Sequence, residues 1–431
     1  MAHLFGDLRR ERVCYINAAG RTPLPTCTRE VGLAALVRKA ETPWDIGDTE
    51  RDKDEARALF AKLLGNGPDG KGVSPSDIAV VPCCSYAMTL AANNMRGRMR
   101  SRPSAARKVV VIQDQNPSNV LQWQRLCEDE DGELVVIGRP ADGDWAREIV
   151  DVVATGTVAV CALPPCHWCD GSIIDLRVVS TACQAHNAAL VVDGTQWVGA
   201  AEALDVHGLA IAFLACSIHK WLLGPYGACL CYAPRSVWET WTPLEDHDRN
   251  REGAQHVECL PMAETGYPTT FQAGCRRLDG GGRPSYIVMP MLARSLRLLV
   301  EELTVARVAA QLGAFTAEVG KQARALGFDV PPRHAPNIIG LRPTAAMPDA
   351  DAIVAALAAR PLKIIVGARL GVIRVSPHLY NDQRDLDHLI EGLRDAIYLH
   401  RMETLRVQPA AEPTSATLGG QAGSNLLKSR L

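Results

Sequence analysis

The stretch FLACSIHKWLLGPYG (213–227) puts Lys220 behind an apolar run at 211–215 and directly before Trp221, Leu222 and Leu223. Lysine is rarely buried without a partner or a task. An amine enclosed by apolar groups holds its proton less tightly, because desolvation disfavours the charged form, and the neutral amine is a nucleophile toward carbonyl carbon. Taken alone, Lys220 reads more readily as a strand-end lysine whose ammonium reaches water. A second stretch, ALVVDGTQWVGA (189–200), reverses that balance. It ends a buried strand with Asp193, then Gly194 and Gln196. Ligands of parallel α/β sheets bind beyond the carboxyl ends of the strands. The Asp193 carboxylate and the Lys220 amine should therefore reach one edge of one sheet.

That pairing meets the needs of pyridoxal 5'-phosphate. The amine forms an imine with the cofactor aldehyde, and the carboxylate keeps the pyridine nitrogen protonated so that the ring accepts electrons. The phosphate needs donors. CCSYAMTLAA (83–92) follows an apolar strand and reads as a helix N-terminus, where free backbone N–H groups bind anions. Ser85 adds a hydroxyl there, although a lone serine is more often only an N-cap. Ser217 and His219 flank the lysine and can reach the same phosphate, and His219 is a further catalytic candidate. Once an α-amino acid has displaced it, Lys220 is free to act as general base and acid at Cα. Racemisation, transamination, β-elimination and decarboxylation with new C–C bond formation all remain open at this point.

The elements that must hold these residues are legible as short apolar runs rich in Val, Ile and Ala: 77–82, 108–113, 133–138, 157–163, 189–193, 211–217 and 227–233. Near-continuous apolar runs indicate strands covered on both faces. Helical periodicity fills gaps at 85–96, 118–129, 144–154 and 176–187, so the expected fold is α/β, a mostly parallel seven-stranded sheet doubly wound by helices. The texture changes after residue 235. A charged stretch at 245–258 reads as a surface loop, and Gly-rich 278–285 precedes helical patterns at 286–303 and on to 326. NIIGLRP from 337, a helix at 350–359, KIIVG, GVIRVS and a helix at 383–400 describe a smaller α+β domain. The Ala-, Pro-, Gly- and Ser-rich tail reads as disordered.

With these residues in hand the chain resembles the class V aminotransferases of fold type I, and within them the isopenicillin N epimerase-like and cysteine desulfurase-like branch. The matching stretches are YINAAGRTPLP (15–25), SYAMTLAA (85–92), PSNVLQW (117–123), HWCDGSIIDL (167–176), VVDGTQWVGA (191–200), SIHKWLLGPYG (217–227) and IRVSPHLYN (373–381), in family order along nearly the whole chain. The resemblance implies Lys220 as the imine lysine, Asp193 as partner of the ring nitrogen and Gln196 as donor to the ring hydroxyl. Ser85, Tyr86, Ser217 and His219 become phosphate contacts, and Arg374 the clamp for the substrate carboxylate. A planar guanidinium suits that task, since it pairs a carboxylate through two parallel hydrogen bonds. His167, Trp168 and Arg21 are candidates for the substrate side. Arg283 lies in a glycine-rich segment that family members contribute to a partner subunit's site, so the resemblance also implies a homodimer. Four segments follow: an N-terminal arm (1–30) reaching the small domain and the site, a large cofactor-binding domain (31–290), a small domain (291–405) and a flexible tail (406–431). The implied activity is a pyridoxal-phosphate enzyme of specialised metabolism acting on an α-amino acid, with a plain aminotransferase and a non-catalytic relative as the alternatives.

Two departures from the family pattern matter. Many relatives carry an aromatic residue or histidine stacked on the cofactor ring. Here the segment reads QDQNPSN, which offers Asn116, a poorer π partner and no acid–base group. Cysteine desulfurases also place a nucleophilic cysteine on a loop before the R-x-S strand. Residues 363–376 contain none, and Cys275 is the nearest loop candidate. This argues against a persulfide-forming desulfurase and leaves open a C–S lyase that needs no such thiol.

Bulk properties narrow the field further. The 431 residues carry 46 basic and 48 acidic side chains, a balance that points to neither nucleic acid nor a membrane surface as partner. No apolar run reaches the roughly 18 residues of a membrane span, and residues 1–12 lack a secretion-type apolar stretch. Fourteen irregularly spaced cysteines fit reduced thiols in a long chain. The pair Cys166 and Cys169 has no second C-x-x-C to complete a structural zinc site, so no metal is expected. The terminal Ser429-Arg430-Leu431 resembles a peroxisomal address, with the cytoplasm as the alternative location.

Overall fold

The computed structural model describes residues 4–6, 12–65, 72–253 and 266–407. The tail with Ser429, Arg430 and Leu431 lies outside them, as do parts of the N-terminal arm and of the charged loop. Among these described residues twelve strands are numbered in chain order. β1 (Val13–Tyr15) belongs to the small domain. β2 (Ile78–Val81), β3 (Lys108–Ile112), β4 (Glu133–Ile137), β5 (Val158–Leu163), β6 (Ala189–Asp193), β7 (Ile211–Ser217) and β8 (Cys229–Tyr232) form one seven-stranded sheet in the order β2-β8-β7-β6-β5-β3-β4. All seven apolar runs are strands of this sheet. β7, β6, β5, β3 and β4 run parallel, and β8 is antiparallel to both of its neighbours.

The apolar runs are continuous because both faces of the sheet are covered. Successive residues alternate between two cores: Val110, Cys161, Leu190, Val192 and Leu214 belong to one, and Val109, Val111, Val160, Val191 and Phe213 to the other. Helices Cys84–Asn94, Leu121–Asp129, Trp145–Val153 and Leu176–Ala185 occupy the four periodic gaps. Asp144 and Asp175 cap the last two by accepting N–H groups of their first turns.

Two long helices, Thr26–Glu41 and Thr49–Leu63, are not announced by periodicity. In the first only Thr28 and Gly32 are buried, while Leu33, Leu36 and Val37 stay about half exposed, so its apolar residues trace no inward stripe. Gly32 sits against Met291, where a methyl group would collide with the sulfur. The second helix buries charge instead. Lys53 and Arg57 both pair with Asp279, whose other oxygen accepts the Val80 N–H at 2.9 Å. This closed cluster ties the helix to the edge strand β2 and to the glycine-rich turn at 280–282. The pattern read as a helix over 286–303 is a helix at Val288–Arg297 followed by a wider π-helical turn at Leu298–Leu303.

The small domain is built on β9 (Ile339–Leu341), β10 (Lys363–Ile365), β11 (Gly367–Arg369) and β12 (Val372–Val375). β11, β12 and β9 form an antiparallel sheet, and β1 pairs in parallel with β10. Helix Val305–Leu326 joins the two domains: Val308 and Leu312 pack in the large core, Val319 and Ala323 in the small one. From β1 the chain runs along the end of β12, with Ala18 N–H donating to Ser376 O (2.9 Å) and Ala19 N–H to Ser376 Oγ (3.1 Å). This lacing carries the motif YINAAG to the carboxyl edge of the large sheet.

Candidate active site

β6 and β7 are adjacent and parallel, with Asp193 in register with Ala215, so their ends open at one edge. Beyond β7 the chain folds back. Leu223 N–H donates to Lys220 O (3.0 Å) and Gly224 N–H to Ile218 O (2.9 Å). Leu223 takes the left-handed φ of 60°, a strained choice for a branched residue of the kind that clusters at functional sites. The turn sets Lys220 over a cavity of about 160 Å³ lined by Asp193, Gln196, Ser217, His219 and Lys220, together with Asn116 and Trp168. Seven of the residues singled out by sequence therefore meet in one chamber.

Each bears a group available to a ligand. Lys220 Nζ makes no hydrogen bond or ion pair among the described residues, and burial lowers its proton affinity; Asp193 works against the shift and Arg374 adds to it. Asp193 uses one oxygen to accept the Thr195 N–H (3.0 Å), and the other has no partner among the described residues. Ser217 binds Thr195 Oγ1 through its own N–H (3.1 Å), which leaves its hydroxyl free. His219 stacks on Tyr226 with ring centroids 4.1 Å apart, and burial followed by the Lys220 charge lowers its pKa to about 4. It is a neutral ring at physiological pH. Asn116 accepts the Ser118 N–H on Oδ1 (3.1 Å), which leaves its amino group unused.

Arg374 stands behind this chamber on β12, opposite Gly367 and Gly340. The guanidinium is 1% exposed. It donates to Trp168 O (3.1 Å) and Asn17 Oδ1 (3.3 Å), and its Nε has no partner. No carboxylate of the described residues pairs with it. Burial above all lowers its pKa, to about 10, so it remains a cation at neutral pH. A buried, unpaired, cationic fork is the donor set a substrate carboxylate would satisfy. Trp168 connects it to the cavity: its ring lies 5.8 Å from the Arg374 carbon, and its indole N–H donates to Asp114 O (2.7 Å).

Other candidates are placed elsewhere. His167 is fully buried and stacked on Trp145, and its Nδ1 accepts the Cys169 N–H. Its Nε2 therefore carries the proton and donates to Gln113 O (3.2 Å), so it supports the Trp168 turn rather than lining the chamber. Ser85 is exposed on a neighbouring open groove with Ser118, and Tyr86 packs its ring against Gly280. Arg21 and Arg283 lie on the surface of the single chain. Residues that sequence reasoning passed over also line the chamber: Cys84, Gln115, Cys166 and Thr195. Thr195 was legible in principle, since it stands between Asp193 and Gln196. Gln115 was not, because its task is tertiary: its amide bridges Asn119 O and Ala162 O and receives Ile112 N–H, which pins the loop carrying Asn116.

The thiols facing the chamber are not poised as nucleophiles. A hydrogen bond to Cys229 and then burial raise the pKa of Cys84, and burial raises that of Cys166. Cys275, the loop candidate, is buried against Ala233 O and pushed up to about 12 by burial. Among the described residues no group of three or more His, Cys, Asp or Glu side chains is arranged to hold a metal ion.

One pH effect follows from the ring that closes the site from behind. His378 is 2% exposed, stacks on Trp221, and has its pKa lowered to about 3 by burial. Below the unfolded value near 6.5 the unfolded chain binds a proton that the folded chain refuses. Stability is therefore fully present above about pH 6.5 and is lost as pH falls toward 3. The loss is about 1.4 kcal/mol per pH unit, or about 2 kcal/mol at pH 5. Urea unfolding at pH 7 and pH 5 should show that difference shrink by about this amount in His378→Phe.

A mostly parallel seven-stranded sheet with a lysine and a carboxylate beyond the ends of adjacent strands, and a smaller domain beside them, defines a fold type I pyridoxal-phosphate enzyme. The model of the class V aminotransferase family matches residues 48–321, and the chain belongs to that family. An uncharacterised aminotransferase of Bacillus subtilis (strain 168) is 25% identical over 345 residues, 78% of this chain and 82% of its own. The cysteine desulfurase of Escherichia coli O6:K15:H31 is 26% identical over 184 residues, less than half of either chain (42% and 43%). The fold is shared with the Escherichia coli cysteine desulfurase CsdA (TM-score 0.75, 18% identity, 92% and 97% of the two chains). It is also shared with the cystine C–S lyase C-DES (TM-score 0.74, 18% identity, 89% and 98%). The family's cofactor is pyridoxal phosphate, and this chamber fits it: an unpaired amine, a carboxylate with a free oxygen, unused hydroxyls and an amide donor all face one space.

Proposed function

We propose that this enzyme labilises the Cα–H bond of a small α-amino acid whose carboxylate pairs with Arg374, with Lys220 as the group that takes and returns the proton. The observation that carries the reading is the unpaired Lys220 amine sharing a chamber with Asp193, with an unpaired buried guanidinium behind it. Bound pyridoxal phosphate supplies an electrophilic aldehyde and a ring that withdraws electrons from Cα. The free oxygen of Asp193 would hold a proton at the ring nitrogen. Gln196 would donate an N–H to the ring hydroxyl, and Ser217, Thr195, His219 and the N-terminus of helix Cys84–Asn94 would hold the phosphate. Asn116 would pack against the ring. Trp168 covers the substrate and keeps Arg374 dry, which strengthens its hold on the carboxylate. A homodimer, with Arg283 reaching the partner subunit's chamber, accords with its exposed position here.

The raised pKa values of Cys84, Cys166 and Cys275 favour lyase or epimerase chemistry over persulfide formation. Plain transamination is the second reading, favoured by the long match to the Bacillus aminotransferase. Incubating the loaded enzyme with a panel of L-amino acids in deuterium oxide separates them. Deuterium at Cα of the recovered amino acid, with either ammonia plus a keto acid or the D-enantiomer formed without any added keto acid, supports the first reading. Keto-acid-dependent exchange of amino groups supports the second, and absence of both would overturn the proposal. Arg374→Gln is expected to lower kcat/KM on the order of a hundredfold, mainly through KM, because a charged double hydrogen bond to substrate is lost. Steady-state kinetics on the best substrate check this.

A further inference from the structure

Trp221, the residue after the lysine, has no task in the chemistry above, yet its indole is 1% exposed and its N–H is spent on a single acceptor. That acceptor is Gln196 Oε1, at 2.8 Å. An indole N–H can only donate, so the contact fixes which end of the Gln196 amide faces Trp221. The amino end faces the other way. One of its hydrogens goes to Ala19 O (3.2 Å), and the second has no protein partner among the described residues while Gln196 lines the chamber.

The arrangement is braced from both sides. Asn337 Nδ2 donates to Gln196 O (2.9 Å), which holds the backbone below the amide. Trp221 is stacked on His378 with ring centroids 5.4 Å apart and planes 11° from parallel. His378 follows Arg374 by four residues, just beyond the strand that carries the carboxylate clamp.

We propose that Trp221 is a positioning residue that locks the Gln196 amide so that its spare N–H points at the phenolic oxygen of the cofactor ring. The proposal rests on the pyridoxal-phosphate reading and adds to it a residue acting through another. Without the indole N–H, Gln196 Oε1 is a buried acceptor with no donor, and the amide turns to find one. The ring oxygen then loses a donor that spreads its negative charge, so it holds the neighbouring proton on the lysine nitrogen more strongly.

Trp221→Phe keeps the stack on His378 and removes only the N–H. In the loaded enzyme the pH midpoint of the visible band of the Lys220-linked cofactor should rise by about half a unit or more. The dissociation constant for pyridoxal phosphate should rise on the order of fivefold to tenfold. Gln196→Leu should produce the same shift, and Trp221→Phe added to it should produce no more, because the indole acts only through the amide. Effects that add, or a midpoint unmoved by Trp221→Phe, would overturn the proposal. Hydrogen exchange of the Trp221 indole provides a reading that does not depend on the folding of a position-221 variant. It should be slow in the wild type and faster in Gln196→Leu, and equal rates would count against the contact. A wild-type protein with no visible band would instead defeat the cofactor reading itself.

Discussion

Lys220→Ala is expected to reduce turnover of any amino-acid substrate on the order of 10³-fold or more, since it removes both the covalent anchor and the proton-transfer group. The visible absorbance of the loaded protein should vanish with it. The fold should survive. Lys220 Nζ makes no hydrogen bond or ion pair among the described residues, and its lowered proton affinity means that the folded state bears a cost for burying it. For a lysine shifted downward, that cost is fully present below the folded pKa, fades as pH rises from there, and is gone above the unfolded one. The cofactor-free variant should therefore melt at or above the wild-type temperature at neutral pH, as calorimetry can show. A residue whose loss abolishes activity and spares stability is a functional lysine, whereas a structural one would behave in the opposite way.

The second large effect is on stability. Asp279 is 3% exposed and is the common partner of Lys53 and Arg57, themselves 6% and 0% exposed. Asp279→Ala leaves Lys53 with Glu50 alone and Arg57 with Asp54 and Ile78 O, and strands the Val80 N–H; removing one member of such a buried cluster costs about 3 kcal/mol. Denaturant unfolding should show that loss. Activity at low temperature, where the variant is still folded, should fall much less, because the cluster lies outside the chamber. Equal loss in both would mean that the turn at 280–282 takes part in the site directly.

How much of this was legible in the sequence follows from which features are local. The seven strands were visible because a sheet covered on both faces needs nearly every residue of a strand to be apolar, as in VAVCAL of β5. The chamber was visible because strand ends in a parallel sheet converge, so Asp193, Ser217 and Lys220 could be placed together without knowing any side-chain angle. The helix Thr26–Glu41 was not, since its leucines face outward and its packing depends on a missing side chain at Gly32 meeting Met291. Ser85 is expected at the phosphate from a helix N-terminus and from the family resemblance, and Tyr86 from the resemblance alone. The structure turns Ser85 to the surface and gives the inward position to Cys84, a one-residue change in the face of the helix that periodicity does not resolve. His167 reads as a substrate contact because it lies on the loop after the strand at 157–163. Burial against Trp145 and a bond to Gln113 O make it a brace, and no local signal separates the two roles.

The lacing of residues 16–20 along β12 is a further feature that only the tertiary structure shows. It brings Asn17 to Arg374 and Ala19 O to Gln196, so that one short motif from the N-terminal arm steadies both the carboxylate clamp and the amide that faces the cofactor. The motif YINAAG is conspicuous in sequence for its small residues. Gly20 accounts for one of them, since a side chain there would press on Asn17 and the Arg374 guanidinium.

The central claim is a covalent one and can be read directly. The protein loaded with pyridoxal phosphate is reduced with borohydride, digested and mapped by mass spectrometry. The cofactor mass is predicted on the peptide containing Lys220 and on no other lysine, and it should be absent from that peptide in Asp193→Ala if the carboxylate is needed to hold the ring. A label on a different lysine, or no stable label in a protein that is folded, would contradict the account.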